Sequence, residues 1–69
     1  MIEVDVRGLS CPLPVVKTNK AIDNNPSQSL TVLVSNNVSK ENVSRLAKKK
    51  GYSVNESETD YGHSLSLTP

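Results

Sequence analysis

Apolar and polar residues alternate strictly in "IEVDV" (residues 2–6), which puts Ile2, Val4 and Val6 on one face and Glu3 and Asp5 on the other. A period of two predicts a half-buried strand. The pattern then changes. "RGLSC" (7–11) reads as a loop, and Pro12 stands at a favourable first helical position. A helix is expected from there to about Asp23 or Asn25, where "NNPSQS" breaks it. At about 100° per residue, Val15, Thr18 and Ile22 share the side that should face a sheet, while Leu13 and Val16 point elsewhere, close to Lys17 and Lys20.

"LTVLV" (30–34) is almost continuously apolar and β-branched, which predicts a central strand covered on at least one face. "SNNV" turns the chain into a second helix. Ser39 is its expected N-cap, and Glu41 falls in the first turn, where the helix dipole favours negative charge. Val38 and Val43 have the spacing of a hydrophobic staple. Val43, Leu46 and Ala47 form the buried stripe, Lys48, Lys49 and Lys50 complement the dipole, and Gly51 sits where a C-cap glycine belongs. "YSVNE" and "HSLSL" alternate again around a "TDYG" turn, an antiparallel hairpin. The order β-α-β-α-β-β predicts an α+β fold: a two-layer α/β sandwich, with a four-stranded mixed sheet, right-handed crossovers and both helices on one face.

Composition narrows the functional classes. Sixty-nine residues suffice for one domain, residues 1–69, either alone or as the N-terminal part of a longer protein. With no Phe or Trp and only Tyr52 and Tyr61, the core rests on Val, Leu and Ile, and few rings exist to stack bases. A formal net charge of +1 is too balanced for a protein that coats nucleic acid, so direct nucleic-acid binding is not expected. One cysteine makes no internal disulfide, and no apolar run approaches membrane-spanning length. A cytoplasmic protein without membrane attachment is the expectation.

The single thiol sits in an unusual setting, "GLSCPLPVV". With Pro12 first in the helix, Cys11 becomes the N-cap, and a residue before proline is pushed toward the extended geometry an N-cap needs. Pro14 has no N–H, which leaves Leu13 as the main near donor to the sulfur, with Val15 behind it. A free thiol has a pKa of about 8.5, so only a few per cent is the nucleophilic thiolate at neutral pH. A helix N-terminus contributes roughly 0.3–1 kcal/mol toward ionisation, up to about 2 in good geometry. Arg7 either turns toward the sulfur and adds to this, or pairs with Asp5 and braces the loop. Gly8 supplies a backbone angle that other residues resist. Leu13 and Val16, rimmed by Lys17 and Lys20, form either a docking patch for an acidic partner or part of a wide core stripe with solvated lysines. His63 reads as structural or solvated. No Cys/His cluster has metal-ligand spacing, so neither a metal nor another cofactor is expected.

"DVRGLSCPLPVVKTNKAI", with Cys-Pro-Leu-Pro at 11–14, resembles the TusA/SirA/YedF family of small sulfur carriers, and the likeness continues through "LTVLVSNNVSKENVSRLAKKKGY". The latter stretch is most similar to the YedF branch, linked to selenium metabolism. The resemblance implies the same β-α-β-α-β-β sandwich. It also implies that Cys11 accepts a persulfide sulfur from a cysteine desulfurase or related donor and passes it to an acceptor protein, with Pro12 and Pro14 as its rigid frame. In the tRNA-thiolating branch the onward route needs dedicated relay proteins. A carrier of this kind needs one thiol, whereas a dithiol oxidoreductase needs a second to resolve its mixed disulfide. Two other readings stand beside it: a non-catalytic interaction domain docking through Leu13, Val16 and the lysines, and a thiol-redox regulator working by mixed disulfide.

Overall fold

A computed structural model describes residues 2–10 and 12–69. Its elements are β1 (Ile2–Asp5), α1 (Leu13–Asn24), β2 (Leu30–Val34), α2 (Asn37–Lys49), β3 (Ser53–Thr59) and β4 (Gly62–Thr68). The strands form one sheet in the order β1-β2-β4-β3. β1 runs parallel to β2, with Val4 beside Val32, and β4 lies antiparallel to both of its neighbours. The hairpin therefore folds back so that β4 inserts between β2 and β3.

Register explains which face is buried. Val4, Val32, Leu65 and, one pair along, Ile2, Leu30, Leu67 and Val54 align across the strands on one side of the sheet. Ile22 of α1 and Val43 and Ala47 of α2 join Val6, Leu30, Val32, Val34, Leu65 and Leu67 in a single cluster, with Tyr52 at its margin. Both helices thus cover the same face. The opposite face carries Glu3, Thr31, Ser64, Ser66 and Asn55, together with a buried Leu33 paired to Asp5.

Several local expectations change in the folded chain. Helix α2 is capped by Asn36, not Ser39: the extended Asn36 accepts the Ser39 N–H on Oδ1 at 2.8 Å. Starting the helix earlier moves Glu41 out of the first turn and buries Ser39. It also turns Val38 to solvent, 63% exposed, so it does not staple to the buried Val43. In α1 the buried line is Pro14, Thr18 and Ile22, four residues apart, with Val15 only half-buried at its edge. Leu46 is likewise half-buried. The end of α2 follows expectation, with Lys50 as C-cap and Gly51 at φ +87° immediately after it.

Candidate functional site

Helix α1 starts one residue later than the proline signal suggested. Pro12 is the N-cap, at φ −97° and ψ 11°, and makes no side-chain capping bond; Leu13 is the first helical residue although it precedes a proline. The cause is a tight turn ahead of the helix. The Leu13 N–H donates to the Ser10 carbonyl at 2.9 Å, and the Val16 N–H donates to the Pro12 carbonyl at 3.0 Å. Leu13 is therefore already committed to Ser10 and is not the spare donor foreseen for the sulfur. Pro14 at the second helical position costs no hydrogen bond, because the first-turn N–H groups have no partner within a helix. Cys11, expected as the N-cap, lies outside the described residues. Its described neighbours Ser10 and Pro12 are both exposed.

The loop entering this turn is held on both flanks. The Arg7 Nε donates to Asp5 Oδ1 at 2.9 Å and an Arg7 Nη to Oδ2 at 2.7 Å, a two-pronged pair, and the Arg7 backbone N–H adds a third bond to Oδ1. These bonds, the side-chain ones first and the backbone one next, lower the Asp5 pKa from 3.8 to about 2, with the charges of Arg7 and Lys17 adding to them against a small opposing desolvation. The Arg7 guanidinium is raised above its ordinary pKa chiefly by the same bonds. Of the two roles open to Arg7, pairing with Asp5 is the one seen. Gly8, at φ +76°, adopts a left-handed backbone and donates its N–H to Ser35 Oγ at 3.0 Å.

Two residues of this support were missed in the sequence, Ser35 and Tyr61. Ser35 follows β2 and reaches Gly8 across 27 positions. Tyr61 comes from the β3–β4 turn and lies under the Arg7 guanidinium. No local pattern signals either contact; a loop serine and a turn tyrosine reveal their partners only once the strand order is known. The predicted docking residues are not part of this network. Leu13 and Val16, 47% and 45% exposed, lie on the outer side of α1, where Lys17 and Lys20 are exposed as well. Among the described residues His63 Nε2 contacts Asn37 Oδ1 at 2.9 Å, and no three His, Cys, Asp or Glu side chains converge as a metal site.

A second concave feature adjoins Pro12. A groove of about 360 Å³ runs between the start of α1 and the second half of α2, lined by Pro12, Val15, Asn42, Arg45, Leu46 and Lys49. It is far more apolar than its charged rim suggests, because Pro12, Val15 and Leu46 form its walls.

Comparison with known proteins places this geometry in context. Residues 2–67 match the family profile described as Sulfurtransferase TusA. A proposed sulfur carrier of Methanocaldococcus jannaschii is 40% identical over 55 residues, covering 78% of this chain and 73% of its own. Another, from Thermotoga maritima, is 41% identical over 56 residues, covering 80% and 71% respectively. The crystal structure of a SirA-like protein from Desulfitobacterium hafniense superposes with a TM-score of 0.90 at 32% identity, across 99% of this chain and 96% of that one.

Proposed function

The chain belongs to the TusA family of sulfurtransferases, and from that premise we propose that Cys11 carries the sulfur as a persulfide between a donor and an acceptor protein. The observation that carries this reading is the sequence position of the chain's only cysteine, immediately before Pro12, the exposed N-cap of α1. The Asp5–Arg7 pair and the Ser35–Gly8 bond limit the motion of the loop leading to it.

The transfer is a substitution at sulfur. The Cys11 thiolate attacks the outer sulfur of a persulfide on the donor's cysteine. A new S–S bond forms at Cys11, the donor's S–S bond breaks, and its electron pair leaves on the donor thiolate. Cys11 gains one sulfur atom with its proton, and nothing is oxidised or reduced overall. The acceptor's thiolate repeats the step in the onward direction. A cysteine desulfurase supplies the persulfide, the reducing cytoplasm keeps the lone thiol available, and the same chemistry carries selenium when a selenium donor replaces it. Delivery into selenium metabolism or tRNA thiolation then depends on the acceptor.

The test is an intact-mass measurement of the reduced protein after incubation with a cysteine desulfurase and cysteine. Gain of one sulfur, lost in Cys11→Ser, is the expected result. Absence of any gain with several desulfurases, or an equal gain in Cys11→Ser, overturns the proposal.

One observation favours a second reading, a docking domain that acts without sulfur transfer: Leu13 and Val16 remain half-exposed beside the helix entrance. Under it, Cys11→Ser retains cellular function and Leu13→Asp abolishes it.

A further inference from the structure

The groove beside Pro12 carries two cations that form no salt bridge among the described residues. Arg45 and Lys49 lie four residues apart on α2, hence on one face, and both are exposed. Among the described residues no carboxylate lines the groove and neither cation forms a salt bridge. Lys40 of this helix pairs with Glu56, and its C-cap Lys50 pairs with Asp23, each at 3.4 Å. Glu41, one turn before Arg45, borders a separate depression with Arg45, Ser44, Lys48 and Glu56, and closes no ion pair with Arg45. Nor does the helix dipole account for Arg45, which precedes the last turn where Lys48 and Lys49 stand.

An apolar floor flanked by two cations that form no salt bridge among the described residues complements a segment that carries aliphatic side chains and carboxylates. We infer that this groove receives an acidic, aliphatic-anchored segment of the protein that exchanges sulfur with this chain, which rests on the sulfur-carrier reading. Aliphatic groups of that segment cover Pro12, Val15 and Leu46, and its carboxylates accept charge-assisted hydrogen bonds from Arg45 and Lys49. Because Pro12 directly follows Cys11 in the chain, a segment bound here holds the partner beside the sulfur-bearing residue. RNA fits less well. The groove has no ring on which a base could stack, since Tyr52 is buried and Tyr61 is engaged by Arg7.

The experiment titrates the 15N-labelled protein with the blocked peptide Ac-Asp-Leu-Glu-Glu-Leu-Asp-NH2 and with its Asn/Gln counterpart. Amide shifts confined to Leu13, Val15, Val16 and residues 42–49, weakened by salt and by loss of the peptide's carboxylates, are the expected result. Arg45→Glu with Lys49→Glu should weaken binding about tenfold or more, and the milder Arg45→Gln with Lys49→Gln by an intermediate factor. Far-UV circular dichroism and the thermal midpoint should match the parent in both variants, showing that the fold is intact. The reversed-charge variant should also slow sulfur uptake from a desulfurase. Equal binding of the neutral peptide, shifts outside the groove, no shifts at all, or stronger perturbation of the same residues by a single-stranded RNA hexamer would each overturn the inference. So would concentration-dependent shifts in the absence of peptide, which would assign the groove to a second copy of the chain. Failure of the groove in these assays with normal sulfur gain on Cys11 leaves the carrier function standing, whereas failure of the mass test alone removes the carrier function.

Discussion

The Arg7 guanidinium carbon lies 4.5 Å from the centroid of the Tyr61 ring while its nitrogens grip Asp5. A loop between β1 and α1 is thus tied to the hairpin turn at the far side of the sheet order, because Tyr61 sits between β3 and β4. Tyr61→Ala removes the ring beneath the cation and should cost about 0.5–1 kcal/mol, since the pair is exposed. Urea unfolding of the two proteins reads this directly, with an unchanged midpoint counting against a contribution from the stack.

Asp5 should titrate far below an ordinary carboxylate. Its pKa in the folded chain is depressed to about 2 from 3.8, so the ionised form is the one the fold favours. The associated stabilisation is complete above the unfolded value and is lost as pH falls through the folded one, between about 4 and about 2. Side-chain carboxyl NMR shifts should show the low midpoint, and Arg7→Gln should return it toward the ordinary value. A midpoint near 3.8 in the parent protein would contradict the bidentate geometry.

Ser35→Ala frees the Gly8 N–H that its hydroxyl now accepts. Hydrogen exchange at the Gly8 amide should accelerate, and global stability should fall by about 1 kcal/mol or less because the site is exposed. Exchange at Gly8 that does not change would mean that the bond does not restrain the loop.

Gly62 leaves no room for a side chain. An added Cβ would stand 2.5 Å from the Val34 carbonyl oxygen and 2.7 Å from Ser35 Cα, at a backbone φ of +146°. Gly62→Ala should therefore destabilise by about 1–3 kcal/mol, as overpacking against rigid backbone does. The same shift would displace Ser35 and so raise Gly8 exchange, coupling the two measurements.

Thr18 is fully buried, yet among the described residues its hydroxyl has no hydrogen-bond partner. Thr18→Val replaces that oxygen with a methyl group of similar shape and should raise stability by about 1 kcal/mol, the usual penalty of an unmet buried hydroxyl being about 1–3 kcal/mol. Loss of stability in thermal melts would show that the hydroxyl is satisfied in solution.

What the amino-acid order determined by itself was periodicity. Alternation in residues 2–6, the continuous apolar run at 30–34, the breaker at Pro26 and the glycine at 51 were enough for the elements and their sequence, because each depends on neighbours a few positions away. The outward placement of Leu13 and Val16 followed from helix geometry in the same way. Caps proved less legible. Asn36 and Ser39 are both good N-caps by residue type, and only the extended backbone at Asn36, with its bond to Ser39, decided between them. Likewise Pro12 signals a helix start, and the Ser10–Leu13 turn set the helix one residue later. The Ser35–Gly8 bond, the Tyr61–Arg7 stack and the groove joining Pro12 to Arg45 were decided only by the tertiary structure. They unite residues 27 or more positions apart, and such meetings depend on strand order and helix docking rather than on any short-range preference of the chain.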